Sequence, residues 1–129
     1  MDLMFYKSKF NRNISLWNVS NVKFMEGMFC NSRFNKNISQ WDVSNVIDMS
    51  NLFSRSKFNQ DLSEWKPISL LTKNRIFKNS SLEKKNKLPY WAEVEIESIK
   101  SAINSYEMNK KLIKQLNEKN KINKKQLKL

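Results

Sequence analysis

Lys9, Arg33 and Lys57 stand 24 residues apart, and Arg12 and Lys36 flank the first two at the same interval. A regular row of such side chains attracts anions, so it suits a phosphate backbone or an acidic protein surface. A second group, Lys110, Lys111 and Lys114, opens a lysine-rich stretch that runs to Lys128. The chain holds 24 Lys and Arg against 12 Asp and Glu, a formal net charge of +12. A field of that sign favours nucleic acid, an anionic surface or an acidic protein as partner.

The other side chains that do chemistry are scarce. There is no histidine, which removes the usual general base, the Ser-His-Asp and Cys-His nucleophile systems and the commonest zinc ligand. Cys30 is the only cysteine, so neither an intramolecular disulfide nor a cysteine-based metal site can form within one chain. Its position beside Phe29 is filled by Ser54 and Lys78 in the related units, which gives it no special role. The single glycine, Gly27, excludes a glycine-rich phosphate loop. Asp42, Asp48, Asp61 and Glu64 could supply a pair of carboxylates, yet they occupy positions that vary between units. The reading is therefore a non-enzyme without a cofactor.

The elements that must position the cations come from an internal repeat. Phe10-Asn11-Arg12-Asn13-Ile14-Ser15-Leu16-Trp17 returns as Phe34-Asn35-Lys36-Asn37-Ile38-Ser39-Gln40-Trp41 and again as Phe58-Asn59-Gln60-Asp61-Leu62-Ser63-Glu64-Trp65. A unit of 24 residues cannot bury its own apolar face and must stack on a neighbour, so core positions recur while solvent positions drift. The recurring sets are Phe5/Phe29/Phe53/Phe77, Phe10/Phe34/Phe58/Leu82, Ile14/Ile38/Leu62, Trp17/Trp41/Trp65, Val19/Val43, Val22/Val46 and Met25/Met49. Leu16/Gln40/Glu64 and Arg12/Lys36/Gln60 drift and are assigned to the surface. Asn11/Asn35/Asn59 and Ser15/Ser39/Ser63 read as side chains that satisfy backbone groups at the bends.

Within a unit, the alternating aromatic and β-branched residues of Phe34 to Val43 predict a short strand. Val46, Met49, Leu52 and Phe53 have the three- and four-residue spacing of one or two helical turns. The expected fold is an α/β repeat solenoid, leucine-rich-repeat-like, with about three full 24-residue units and partial terminal units over residues 1–91. The run Phe34 to Phe53 resembles the repeat of BspA-like leucine-rich-repeat proteins, a family that includes a domain of unknown function first noted in mycoplasma lipoproteins. Leu82-Glu83-Lys84 followed by Pro89-Tyr90-Trp91 is similar to that family's terminal unit. The resemblance implies a curved solenoid used for adhesion or protein contact, often at a cell surface, with no catalytic residues.

Beyond Trp91, Ile96, Ile99, Ile103, Tyr106, Ile113 and Leu116 predict one helix over 92–118, with Glu93, Glu95 and Glu97 at its start and Lys110, Lys111 and Lys114 toward its end. Its expected role is to cap the last unit or to dock a partner. Residues 119–129 read as a basic tail or frayed helix. Met1 to Lys7 has no signal-peptide pattern, and no apolar run approaches the length of a membrane span, which reads as a cytoplasmic chain. Three functional expectations follow. The first is a module that binds a larger protein or ribonucleoprotein, for instance as an anti-CRISPR-like inhibitor of phage origin. The second is direct nucleic-acid binding through the basic surfaces. The third is a surface adhesin fragment.

Overall fold

The computed structural model describes residues 1–127. The chain winds into coils that begin at Met1, Met25, Met49 and Lys73, each lying on the next. Backbone amides of Leu3, Phe5 and Lys7 donate to the carbonyls of Glu26, Met28 and Cys30; Met25, Gly27, Phe29 and Asn31 donate to Asp48, Ser50, Leu52 and Ser54; Met49, Asn51, Phe53 and Arg55 donate to Thr72, Asn74, Ile76 and Lys78. These bonds run at 2.8–3.0 Å, each from a coil to the one that follows it, whereas the amides of Arg33, Ile47, Lys57, Leu71 and Ser81 donate back to the preceding coil. Among the described residues, only Phe24, Asp48 and Thr72 reach the geometry of a parallel bridge.

This pairing lies on the half of the unit where helical turns were expected, and no strand forms over Phe34 to Val43. Local side-chain bonds explain both differences. Asn37 and Asp42 accept from the amides of Ser39 and Ser44, which bends the chain twice where a strand would run straight. On the other half, left-handed residues recur in two rows, Leu3/Gly27/Asn51/Arg75 and Lys7/Asn31/Arg55/Asn79, with φ of 54–60°. A left-handed residue every fourth position stops an α-helix and leaves a run of tight turns, such as Cys30 to Gly27 and Ser32 to Phe29. Gly27 has a further reason to be glycine: a Cβ there would meet Leu3 Cδ2 at 2.7 Å.

The recurring apolar sets fill the centre, except for Trp17 of the first coil, which is exposed. Phe5, Phe29, Phe53 and Phe77 stack with ring centroids 5.5–5.6 Å apart. Phe10, Phe34 and Phe58 form a second row at 6.1–6.3 Å. The indoles form a third: Trp41 to Trp65 at 6.5 Å and Trp65 to Trp91 at 6.2 Å. Each of these indole N–H groups donates to a carbonyl of the preceding coil, Trp41 to Ile14, Trp65 to Ile38 and Trp91 to Leu62, at 2.9–3.0 Å. Trp91 thus takes the fourth place in the tryptophan row. The asparagine row is structural as expected: Asn11 and Asn35 side chains accept from the amides of Asn35 and Asn59. The row ends at Asn59, whose buried Oδ1 has no partner because the short helix α1 (Ser81–Lys84), capped by Ser80, replaces the next rung.

The C-terminal helix departs from its expected bounds. Two 3-10 turns, Tyr90–Ala92 and Ile96–Ser98, precede α2 (Ile99–Leu127), so Glu93, Glu95 and Glu97 lie before the helix or in its lead-in turn. Lys110, Lys111 and Lys114 sit mid-helix, and the last turn holds Lys124 and Lys125. Helix continues through the expected tail, carried by good helix formers rather than packing; Lys128 and Leu129 lie outside the described residues. Only Ile99 and Ile103 of α2 are buried; Ile113 and Leu116 are exposed, as are Met108 and Leu112. Among the described residues no helix is long and apolar enough to cross a membrane.

Tyr106 fixes the start of α2 to the stack by lying on Tyr90, with ring centroids 4.4 Å apart. The Tyr90 hydroxyl is buried without a hydrogen-bond partner, and burial pushes its pKa up to about 12. A buried hydroxyl without a partner costs about 1–3 kcal/mol. Tyr90→Phe keeps the ring stack and removes that hydroxyl, so it is expected to raise stability by about 1 kcal/mol. Urea melts will read this as a higher midpoint at unchanged slope.

Candidate functional site

The turns bearing the left-handed residues form one long corner of the stack, made of residues 3–9, 27–33, 51–57 and 75–81. That corner carries Lys7, Lys9, Arg33, Arg55, Lys57, Arg75 and Lys78 and no carboxylate. The rest of residues 1–91 holds eight cations against seven carboxylates, close to neutral. The corner therefore accounts for nearly all the net charge of the stack.

Lys9, Arg33 and Lys57 are exposed and lie one above another, since the amides of Arg33 and Lys57 donate to the carbonyls of Ser8 and Ser32. Beside them a shallow groove crosses the coils, and its walls bring together Lys7, Arg55, Arg75 and Lys78 with Asn31, Asn51 and Asn79. Arg12 and Lys36 line a different groove, with Asn11, Asn13, Ser15, Asn37 and Gln40. Four of the seven corner cations were missed by sequence reasoning. A signal existed: Lys7 and Arg55 share a register with Asn31 and Asn79, and Arg75 shares one with Gly27 and Asn51. Asparagine and glycine mark left-handed positions, so a cation in the same register sits on the same turn.

Those cations are conformationally expensive. A left-handed residue other than glycine costs roughly 1–2 kcal/mol, with asparagine the best tolerated of the rest. Lys7, Arg55 and Arg75 stand at φ of 55°, 56° and 58°. Strain of this kind concentrates where function requires it.

Lys110 belongs elsewhere. Its ammonium bonds both oxygens of Glu64, at 2.9–3.0 Å, and Tyr106 donates to the same carboxylate. The Lys110 bond holds Glu64 below its ordinary pKa and raises that of Lys110. Lys66 and Glu107 add a weaker contact at 3.6 Å. Lys110 thus fastens α2 to the stack, while Lys111 and Lys114 project from its exposed part. The candidate carboxylates are also engaged. Asp42 and Asp61 accept from Ser44 and Ser63, whose side-chain and backbone bonds lower both pKa values, and Asp48 accepts from the Ser50 amide. Among the described residues the ion pairs all lie around Glu64 and Glu107, so none neutralises the corner.

A family model described as "Mycoplasma protein of unknown function, DUF285" matches residues 1–120. The chain belongs to the DUF285 family. No curated protein and no solved structure matches it. The DUF285 match runs through every coil and most of α2, so stack and helix are one family unit. It covers the whole cationic corner and Lys110, Lys111 and Lys114.

Proposed function

We propose that the chain is a non-catalytic interaction module, a short BspA-like leucine-rich-repeat solenoid that docks its cationic corner on the acidic face of a larger protein or nucleoprotein assembly. One observation carries this reading: seven cations and no carboxylate on a single corner, three of the seven on strained left-handed residues. Repeat stacks offer long surfaces of this kind to partners. Blocking a ribonucleoprotein, as an anti-CRISPR-like inhibitor does, is one form such docking takes.

Direct binding of free nucleic acid is the second reading, and the row Lys9, Arg33 and Lys57 on three successive coils favours it. Burial of Trp41, Trp65 and Trp91 weighs against a single strand, because bases then lack an aromatic platform on which to stack. Affinity capture from a bacterial lysate, with and without nuclease, separates the two. The first reading expects a discrete protein retained after nuclease treatment and lost when Lys7, Arg55 and Arg75 are all changed to Asn. Nucleic acid alone, released by moderate salt, establishes the second.

A further inference from the structure

Along the turns, one row of the ladder donates from each coil to the next, and at the C-terminal end that row leaves donors over. Met49, Asn51 and Phe53 donate to the coil that follows them. Their counterparts one coil later are Lys73, Arg75 and Phe77, and among the described residues the amides of all three are without a partner. The fourth donor of the row, the Asn79 amide, is taken by Glu83 Oε1 at 3.2 Å. The cap covers the aromatic half of this end, through Trp91, and leaves the turn half open.

These amides border a groove of about 430 Å³. Leu71, Leu88, Ala92 and Ile96 give it apolar walls, and Arg75 and Lys78 stand beside the amides. The Lys73 ammonium donates to the Ala92 carbonyl at 3.0 Å, which ties the far wall to the coil.

We propose that this groove binds a peptide segment of a partner, wound in the same run of turns and added edge-on to the last coil. Its carbonyls at alternate residues accept from Lys73, Arg75 and Phe77, as the carbonyls of Thr72, Asn74 and Ile76 do from the coil before. A segment wound as its neighbour is presents a carbonyl in the same direction at every second residue, as each coil of the stack does toward the coil before it. Arg75 and Lys78 select a segment that carries a carboxylate, against the single Glu83 on the rim. Backbone bonding supplies general affinity and the cations supply the preference. The site shares Arg75 and Lys78 with the corner but recognises differently: it reads backbone in an end groove, the corner a charged surface along the side.

The test uses the intact, isotope-labelled chain and a capped peptide of residues 46–54. That segment fills the same row of donors in the second coil and carries one carboxylate and no cation. In the free protein, the amides of Arg75 and Phe77 are expected to exchange with solvent at least about tenfold faster than those of Asn51 and Phe53. Millimolar peptide is expected to shift the Lys73, Arg75 and Phe77 amide resonances saturably and to slow their exchange. The same peptide with Asp48→Asn is expected to bind several-fold more weakly. Protection of these amides before peptide is added, absence of the shifts, or shifts confined to Lys7 and Arg55 each overturns the proposal. None of those outcomes bears on capture of a partner by the corner, except that the last would support it.

Discussion

Trp65→Ala is expected to destabilise the chain by about 4 kcal/mol or more, whereas Trp17→Ala will cost about 1–2 kcal/mol. The two residues occupy equivalent positions in sequence but not in the stack. Trp65 is fully buried, lies between Trp41 and Trp91, and touches Phe53 with ring centroids 6.1 Å apart. Truncating a buried tryptophan removes its transfer energy and leaves a cavity, together about 3–5 kcal/mol. Its indole N–H to Ile38 adds about 1 kcal/mol, and not more, because that carbonyl keeps the Trp41 amide as a second partner. Trp17 is 42% exposed and lies against the phenyl of Phe5, with ring centroids 6.0 Å apart.

The geometry also predicts the manner of the loss. Each coil contacts only its neighbours, so a gap at Trp65 separates coils that are too few on either side to persist alone. Total stability for a domain of this size is about 5–15 kcal/mol. The variant should therefore lose far-ultraviolet signal and aromatic packing together. Equal costs for Trp17→Ala and Trp65→Ala in urea melts would refute the stacked-row account.

That contrast shows which features of the fold are legible in sequence. The identity of the core is, because stacking forces apolar residues to recur at 24: Phe29, Phe53 and Phe77 are buried as their spacing requires. The side of the unit that pairs is not. Phe34, Ile38, Trp41 and Val43 look like a strand by alternation, but two bends turn the chain so that all four are buried, and the Asn37 and Asp42 side chains that make those bends resemble ordinary surface polar residues. The cationic row Lys9, Arg33 and Lys57 follows directly from the period. Lys7, Arg55 and Arg75 escape notice because lysine and arginine are poor left-handed residues; only comparison with Asn31, Asn51 and Gly27 in the same registers reveals their turn. In α2 the stripe read from Ile99 to Leu116 is continuous in sequence, yet burial ends near Tyr106 because the stack is too narrow to cover a helix of 29 residues.

The same registers supply a substitution that separates charge from fold. Changing Lys7, Arg55 and Arg75 together to Asn places at each site a residue that a sister coil already carries there, as Asn31, Asn79 and Asn51. Asparagine tolerates the left-handed region better, so the triple variant is expected to match or exceed the parent in stability, by up to about 1 kcal/mol per site. The change lowers the charge of the corner from seven cations to four. For a partner that presents phosphates, each lost contact removes about 0.9 of a decade of affinity at 0.1 M salt, or roughly 500-fold for three, and flattens the plot of log affinity against log salt by about 2.7. For an acidic protein the loss appears first as slower association and a weaker dependence on ionic strength. Titration against the captured partner over 50–300 mM salt, beside a melt of the same variant, reads both quantities. A variant that is more stable and binds weakly identifies the corner as the docking surface. Unchanged affinity and an unchanged salt slope would remove the corner from the function, and the strain at Lys7, Arg55 and Arg75 would then have no functional explanation.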